Sequence, residues 1–173
     1  MKKGILIFVL SLLGMTMSIS AQAQNECKLT IGAIGGVNLY REPLLLTDSG
    51  VRGMFPGGSL FFDYSVVTFG KGHFTVGAQI GGQSWRNGLY DLAAAPRLTV
   101  GWDLQKWFEM HFGLTSGLGY SNWRGGQGIN SLGFSYSGFF GTRFYITKGF
   151  GITLETGYSD YTPDFGIGLS FRF

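Results

Sequence analysis

Bulky apolar residues alternate with small or polar residues in eight successive segments of the chain. In the first segment, residues 29 to 40, the odd positions carry mainly Leu, Ile and Val, and most even positions carry small or polar residues such as Thr, Gly and Asn. Successive side chains of a strand point to opposite faces, so this period of two is typical of strands with one apolar face. The pattern predicts strands at about residues 29–40, 59–66, 74–81, 97–104, 108–118, 132–146, 150–158 and 165–173.

The small and polar positions indicate what surrounds these strands. Alternation also suits a water-soluble barrel or sandwich, whose apolar faces pack inward. The water-facing positions of such a protein would carry many Lys and Glu, whereas here they are mostly Gly, Ser and Thr. These small residues fit a narrow lumen, and the other face is too bulky to fill one. We therefore predict an all-β fold, an eight-stranded antiparallel up-and-down transmembrane β-barrel with its apolar face in lipid.

The connections between the predicted strands fall into two classes. Three are short, at residues 70–72, 105–107 and 147–149, and the others are mostly longer, at about 41–56, 86–91, 121–130 and 160–164. Short turns at the periplasmic end and longer extracellular loops are typical of outer-membrane barrels. This arrangement predicts that both termini of the mature chain are periplasmic. The lysines after residue 23 all fall at the short-turn end: Lys28, Lys71, Lys106 and Lys148.

The first 23 residues have the layout of a secretory signal. Lys2 and Lys3 precede an apolar run that starts at Gly4, and Ala21-Gln22-Ala23 provides a cleavage sequence. We predict a signal peptide at residues 1–23 and an outer-membrane barrel domain at residues 24–173. Removal of the signal lowers the net charge from +3 to +1, so charge gives no reason to expect a nucleic-acid partner.

The chain resembles the small eight-stranded outer-membrane proteins of the OmpA/OmpX type along the whole predicted mature sequence. The most specific likeness is the end of the chain, which is similar to the C-terminal assembly signal of that class in its alternating apolar residues Phe165, Ile167, Leu169, Phe171 and Phe173. The resemblance implies a Gram-negative outer membrane and recognition by the barrel-assembly machinery. We expect a monomer surrounded by outer-membrane lipid and lipopolysaccharide. The resemblance is to an architecture and implies no single activity.

The inward positions carry charged residues that predict a buried polar network. With three-residue turns, Asp63 pairs with Gln79 and Phe61 with Gly81, and Arg97 lies close to Gln79. We predict one buried row of Asp63, Gln79 and Arg97, and a second group nearer the short-turn end made of Asp103, Glu109, His111, Arg143, Glu155 and Arg172. Burial of these groups favours charge-assisted hydrogen bonds between them. We favour a salt-bridged plug, with a proton or ion path, or a gate, as the alternative.

Aromatic side chains are expected to fill gaps beside inward glycines. Phe139 is predicted to lie opposite Gly113 and Gly157, and Tyr145 opposite Gly151. Such pairs pin the register of neighbouring strands.

Catalysis has weak support in the sequence. Barrels of similar size that modify the acyl chains of lipid A place a His with a Ser or an acidic partner near the outer leaflet, but His73 and His111 both fall at the short-turn end. Glu109 and His111 share the inward face, whereas alternation places Ser116 on the opposite face, away from any base. We predict no catalytic residues, no metal and no cofactor, and keep a lipid A deacylase or acyltransferase as a less favoured alternative.

The long connections are the expected seat of function, because a rigid barrel displays its loops. The predicted loop surface consists of Arg41, Leu44, Leu45, Leu46, Trp123 and Arg124. The leucines are an adhesive tract for an unknown surface partner in one interpretation, and cover the barrel mouth or extend the first strand in the other. The arginines are suited to lipopolysaccharide phosphates. We therefore expect a structural or surface-interaction protein, with a narrow pore for small solutes as the alternative.

Overall fold

A computed structural model describes residues 29–39, 54–84, 89–122, 131–159 and 162–173, with the side chains of residues 39, 54 and 55 left undescribed. Its eight strands are β1 (Leu29–Leu39), β2 (Met54–Phe69), β3 (Gly72–Ser84), β4 (Tyr90–Gln105), β5 (Phe108–Ser121), β6 (Ser131–Tyr145), β7 (Phe150–Ser159) and β8 (Phe165–Arg172). Each strand pairs antiparallel with its neighbours, and β8 pairs with β1 to close the barrel. The predicted fold class is confirmed. No helix long and apolar enough to cross a membrane occurs in these ranges.

The apolar face of the sheet points outward and the polar face points into the lumen. Leu114, Leu132 and Phe134 expose between 64% and 73% of their surface, whereas Arg97 and Glu109 are fully buried. A soluble protein would bury its large apolar side chains and expose its charged ones. The outer face therefore matches the hydrocarbon core of a bilayer, as the residue alternation predicts.

The register between β2 and β3 differs from the prediction. Phe61 pairs with Gln79 and Asp63 with Gly77, which is two residues away from the predicted pairing. One residue of this shift comes from the turn, which has two residues, Gly70 and Lys71, and not three. The second comes from a β-bulge beside Val67, which inserts one extra residue into β2. Two adjacent valines, Val66 and Val67, consequently both face outward.

The two ends of the barrel differ as predicted. Tight turns join β2 to β3, β4 to β5 and β6 to β7, through residues 70–71, 106–107 and 146–149. The other end, called the long-loop end here, carries longer connections whose residues 40–53, 85–88, 123–130 and 160–161 lie outside the described residues. Gly70 has a φ of 59° in the first tight turn. Glycine adopts this left-handed conformation readily, whereas a residue with a Cβ does so at a cost.

The predicted contacts between aromatic residues and glycines are present in the lumen. Phe139 lies opposite both Gly113 and Gly157, and Tyr145 lies opposite Gly151. A Cβ added at Gly113 would collide with the Phe139 ring. Glycine at this position is therefore what allows the ring to lie across the lumen.

The outward orientation of the apolar face predicts the environment of attached spin labels. In a Cys27→Ser background, labels at Leu114→Cys and Leu169→Cys should report contact with lipid, with high accessibility to oxygen and low accessibility to a water-soluble nickel chelate. The same labelled variants unfolded in urea serve as the aqueous control. An aqueous signal at Leu169→Cys in reconstituted protein would contradict the outward orientation.

Candidate functional site in the barrel lumen

Arg97 on β4 is the centre of a buried network inside the lumen. Its Nε donates to Asp63 Oδ1 at 3.0 Å, and its Nη1 donates to Gln79 Oε1 at 2.7 Å. The same guanidinium donates to both carboxylate oxygens of Glu155, at 2.5 and 3.2 Å. The structure thus brings Asp63, Gln79 and Arg97 together, although through a register different from the one predicted.

The two predicted groups of lumen residues form one connected network, so their separation was wrong. Asp63 Oδ2 accepts a hydrogen bond from Arg143 Nη2 at 2.7 Å, and Arg143 Nη1 donates to Glu109 Oε1 at 2.8 Å. Glu155 Oε1 also lies 3.1 Å from His111 Nε2. Several of these contacts cross the lumen between strands that are not neighbours, such as β2 and β6. Strand tilt in a closed barrel brings such residues to one level.

The network continues to the short-turn end of the barrel. Arg172 Nη1 and Nη2 each donate to one oxygen of Asp103, at 3.1 and 3.2 Å, and the Tyr145 hydroxyl donates to Glu109 Oε2 at 2.8 Å. His73 Nε2 lies 3.5 Å from Glu109 Oε1. Asp103 is 31% exposed, so the Arg172–Asp103 pair reaches water, whereas the ion pairs farther inside the lumen are buried.

Sequence reasoning did not include His73 and Tyr145 in the network. His73 lies two residues before Thr75, an inward residue of β3, so the alternation itself carried the signal. Tyr145 was predicted only as a filler opposite Gly151, and its hydrogen bond to Glu109 depends on the three-dimensional position of the hydroxyl.

Two aromatic rings flank the central guanidinium. The Cζ atom of Arg97 lies 3.9 Å from the centre of the Phe139 ring and 4.5 Å from that of Phe61. The Phe61 ring also faces Arg143, at 5.2 Å from its Cζ. Such cation–π contacts stabilise a guanidinium that is removed from water. The rings and the ion pairs share the interior of an eight-stranded barrel, which is just wide enough for side chains.

A polar group that sequence reasoning missed lies at the long-loop end. Asn38 Nδ2 donates to Gln83 Oε1, and Gln83 Nε2 donates to Asp91 Oδ2 at 2.9 Å. All three side chains are buried. A separate cavity of about 30 Å³, lined in part by Ser59, Ser137 and Glu155, has room for about two water molecules.

The remaining predicted residues divide into those that the structure places and those that it does not. The residues of the predicted assembly signal form one outward row on β8 and just after it, each between 45% and 72% exposed. Ser116 faces outward, opposite to Glu109 and His111, so these residues cannot pair as a nucleophile and its base. Within the described ranges, no group of His, Cys, Asp or Glu is arranged to hold a metal ion. The predicted signal peptide and loop surface lie outside the described residues: residues 1–23, Arg41, Leu44, Leu45, Leu46, Trp123 and Arg124.

The closed sheet, its apolar exterior and its packed polar lumen define an eight-stranded β-barrel of the outer-membrane type. Solved structures share this fold. The crystal structure of Ail, the attachment invasion locus protein of Yersinia pestis, matches with a TM-score of 0.51 and 15% sequence identity over 85% of this chain and 97% of that chain. Ail in complex with the heparin analogue sucrose octasulfate gives a TM-score of 0.51 at 16% identity over 86% and 99% of the two chains.

A third structure, the backbone of Yersinia pestis Ail in a phospholipid bilayer nanodisc, matches with a TM-score of 0.51 and 15% identity over 86% of this chain and 100% of that chain. The resemblance to small eight-stranded outer-membrane barrels is therefore confirmed in the fold. No protein-family model matches the chain, and no curated protein sequence does.

The ion pairs of the lumen predict a large loss of stability on replacement of Arg97. Arg97→Met should lower the free energy of unfolding by about 3–5 kcal/mol, because it leaves the buried Glu155 carboxylate without its guanidinium partner. Urea unfolding in detergent micelles, followed by tryptophan fluorescence, measures this loss.

Two matched variants separate the charge effect from lost packing. Adding Glu155→Gln to Arg97→Met should restore part of the lost free energy, since the unpaired carboxylate is removed and Asp63 keeps Arg143. Arg172→Gln, whose partner Asp103 is partly exposed, should cost about 1 kcal/mol or less. A double variant less stable than Arg97→Met would show that the carboxylate is not the source of the loss.

Proposed function

We propose that this protein is an integral outer-membrane barrel that acts at the cell surface through its long loops and neither conducts solutes nor catalyses a reaction. In this proposal the membrane is that of a Gram-negative bacterium, with the long-loop end extracellular, the tight turns and both mature termini periplasmic, and the chain monomeric. The barrel-assembly machinery inserts it by reading the C-terminal apolar row. The observation that carries the proposal is the lumen network, because a closed lumen leaves the loops as the accessible polar surface.

The connectivity of the network favours a plug over a path. Arg97, Arg143, Glu109 and His111 are each at most 1% exposed. Both Arg97 and Arg143 bind two carboxylates at once. Opening a continuous water path would break several of these pairs together and leave buried charges unpaired, at a cost of several kcal/mol. A rigid plug of this kind holds the strand ends, and therefore the loop bases, at fixed positions.

The loop sequences supply the groups for surface binding. The tract Leu44-Leu45-Leu46 places three large apolar residues in the first long connection, and Trp123-Arg124 places an aromatic ring beside a guanidinium in the third. Apolar and aromatic residues in a surface loop are suited to binding a partner, and Arg suits phosphate or sulfate groups. The bound form of Ail with sucrose octasulfate supports sulfated or phosphorylated saccharides as the first ligands to test.

Conductance distinguishes the plugged barrel from a narrow pore. Purified protein in a planar bilayer should give no discrete current steps, because the Arg97 and Arg143 ion pairs block the lumen. Regular steps that depend on protein concentration would favour the pore. The double variant Arg143→Ala with Asp63→Ala removes part of the block and leaves the Arg97–Glu155 pair in place, so its current should rise modestly above that of the unchanged protein.

Surface binding is tested on whole cells that display the barrel. Cells with the unchanged protein should adhere to immobilised heparin several-fold more than cells displaying either of two loop variants, deletion of residues 44–46 or Trp123→Ala with Arg124→Ala. Gln105→Ala, an exposed position beside a tight turn at the opposite end, is the matched control and should leave adhesion unchanged. Equal amounts of folded protein in all strains are verified by gel electrophoresis, in which folded barrels show a heat-dependent mobility. Equal adhesion of all strains would contradict a role of these loops in binding sulfated saccharides.

A further inference from the structure

The charges of the barrel are sorted between its inside and its outside. In the described ranges every aspartate and glutamate points into the lumen or is buried near its mouth: Asp63, Asp91, Asp103, Glu109, Glu155 and Asp164. The arginines of the same ranges also meet these acids inside. The side-chain charges left on the exterior of this part of the chain are three exposed lysines, Lys71, Lys106 and Lys148.

These lysines form a collar, one in each tight turn. Within the described part of the chain, none of the three forms an ion pair, so their ammonium groups are available to an external anion. Backbone hydrogen bonds fix the turns that carry them. Asp103 N donates to the carbonyl oxygen of Lys71 at 2.8 Å, and Tyr145 N donates to that of Trp107, next to Lys106, at 2.8 Å.

Aromatic rings accompany the collar on the outer face. Trp107 is 56% exposed, and its ring lies 5.6 Å from that of Phe108 and 6.3 Å from that of Phe144. Trp102, which pairs with Gly72 next to Lys71, is 37% exposed and meets Phe112 edge-on. Exposed tryptophans of membrane proteins lie at the level of the lipid headgroups. The rings therefore place the neighbouring ammonium groups at the depth of lipid phosphates.

We infer that the lysine collar binds the headgroups of anionic phospholipids in the membrane leaflet at the short-turn end. An ammonium group donates charge-assisted hydrogen bonds to a lipid phosphate, while the lysine stem lies along the apolar surface. The Lys106 turn, held against the end of β6, lies beside the β6–β7 turn that carries Lys148, so two lysine-bearing turns are adjacent on this side of the rim. The inference rests on the proposed membrane location and adds a lipid class to it.

Quenching of tryptophan fluorescence by brominated lipids tests the inference. In a Trp85→Phe, Trp123→Phe background, the remaining Trp102 and Trp107 both report on the collar. The protein is reconstituted into vesicles of phosphatidylcholine that contain a fixed fraction of either dibrominated phosphatidylglycerol or dibrominated phosphatidylcholine. The anionic lipid should be preferred by about 5-fold or more at low salt, and the preference should fall as salt is added.

Matched collar variants identify the source of that preference. Replacement of all three lysines by glutamine should reduce the preference to about 1-fold, whereas replacement of all three by arginine should retain it. Three results would overturn the inference. The first is equal quenching by both lipids in the unchanged collar, and the second is an unaltered preference in the glutamine variant. The third is loss of the preference in millimolar phosphate at constant ionic strength. Absence of quenching by either lipid would instead overturn the proposed membrane location.

Discussion

The requirement that every backbone polar group be hydrogen-bonded within the sheet governs the rest of this structure. In hydrocarbon an unpaired N–H or C=O group costs several kcal/mol, so a sheet there has to close on itself. Pairing of β1 with β8 achieves this closure with eight strands. Closure then fixes two surfaces of opposite character, since every second side chain points to lipid and the others share one narrow interior.

The interior of the barrel carries charged side chains, and their ion pairs connect distant strands. A lumen of small residues alone would leave voids. A fully apolar lumen would require apolar residues on both faces of each strand, and this sequence does not have them. Arg97 and Arg143 reach across the axis to carboxylates on distant strands, so the ion pairs connect parts of the sheet that share no backbone hydrogen bonds. Each buried charge is stable only while its partners are present. The network therefore links strands that are not neighbours in the sheet from the inside of the barrel.

The two ends of the barrel are chemically distinct. Tight turns with lysines and aromatic residues define one rim, and the described part of the other rim holds buried polar side chains such as Gln83 and Asp91 beneath the long connections. Such asymmetry suits a bilayer whose two leaflets differ in composition. The two proposed roles are separated in the same way, with binding of anionic lipid at one end and surface contacts at the other.

The sequence by itself determined the number of strands, the orientation of their faces and the approximate positions of the tight turns, because each of these follows from local alternation and local turn residues. The lengths of β2 (Met54–Phe69) and β4 (Tyr90–Gln105) exceed the predicted 59–66 and 97–104. It also placed Phe139 opposite Gly113, since a gap and its filler must occupy neighbouring strands. The β2–β3 register escaped prediction because the turn has two residues and not three, and because a bulge at Val66 and Val67 offsets the ladder by one more residue. Only the tertiary structure joined Asp63 to Arg143 and Arg97 to Glu155, since contacts across the lumen depend on strand tilt and closure, which no single segment of sequence encodes.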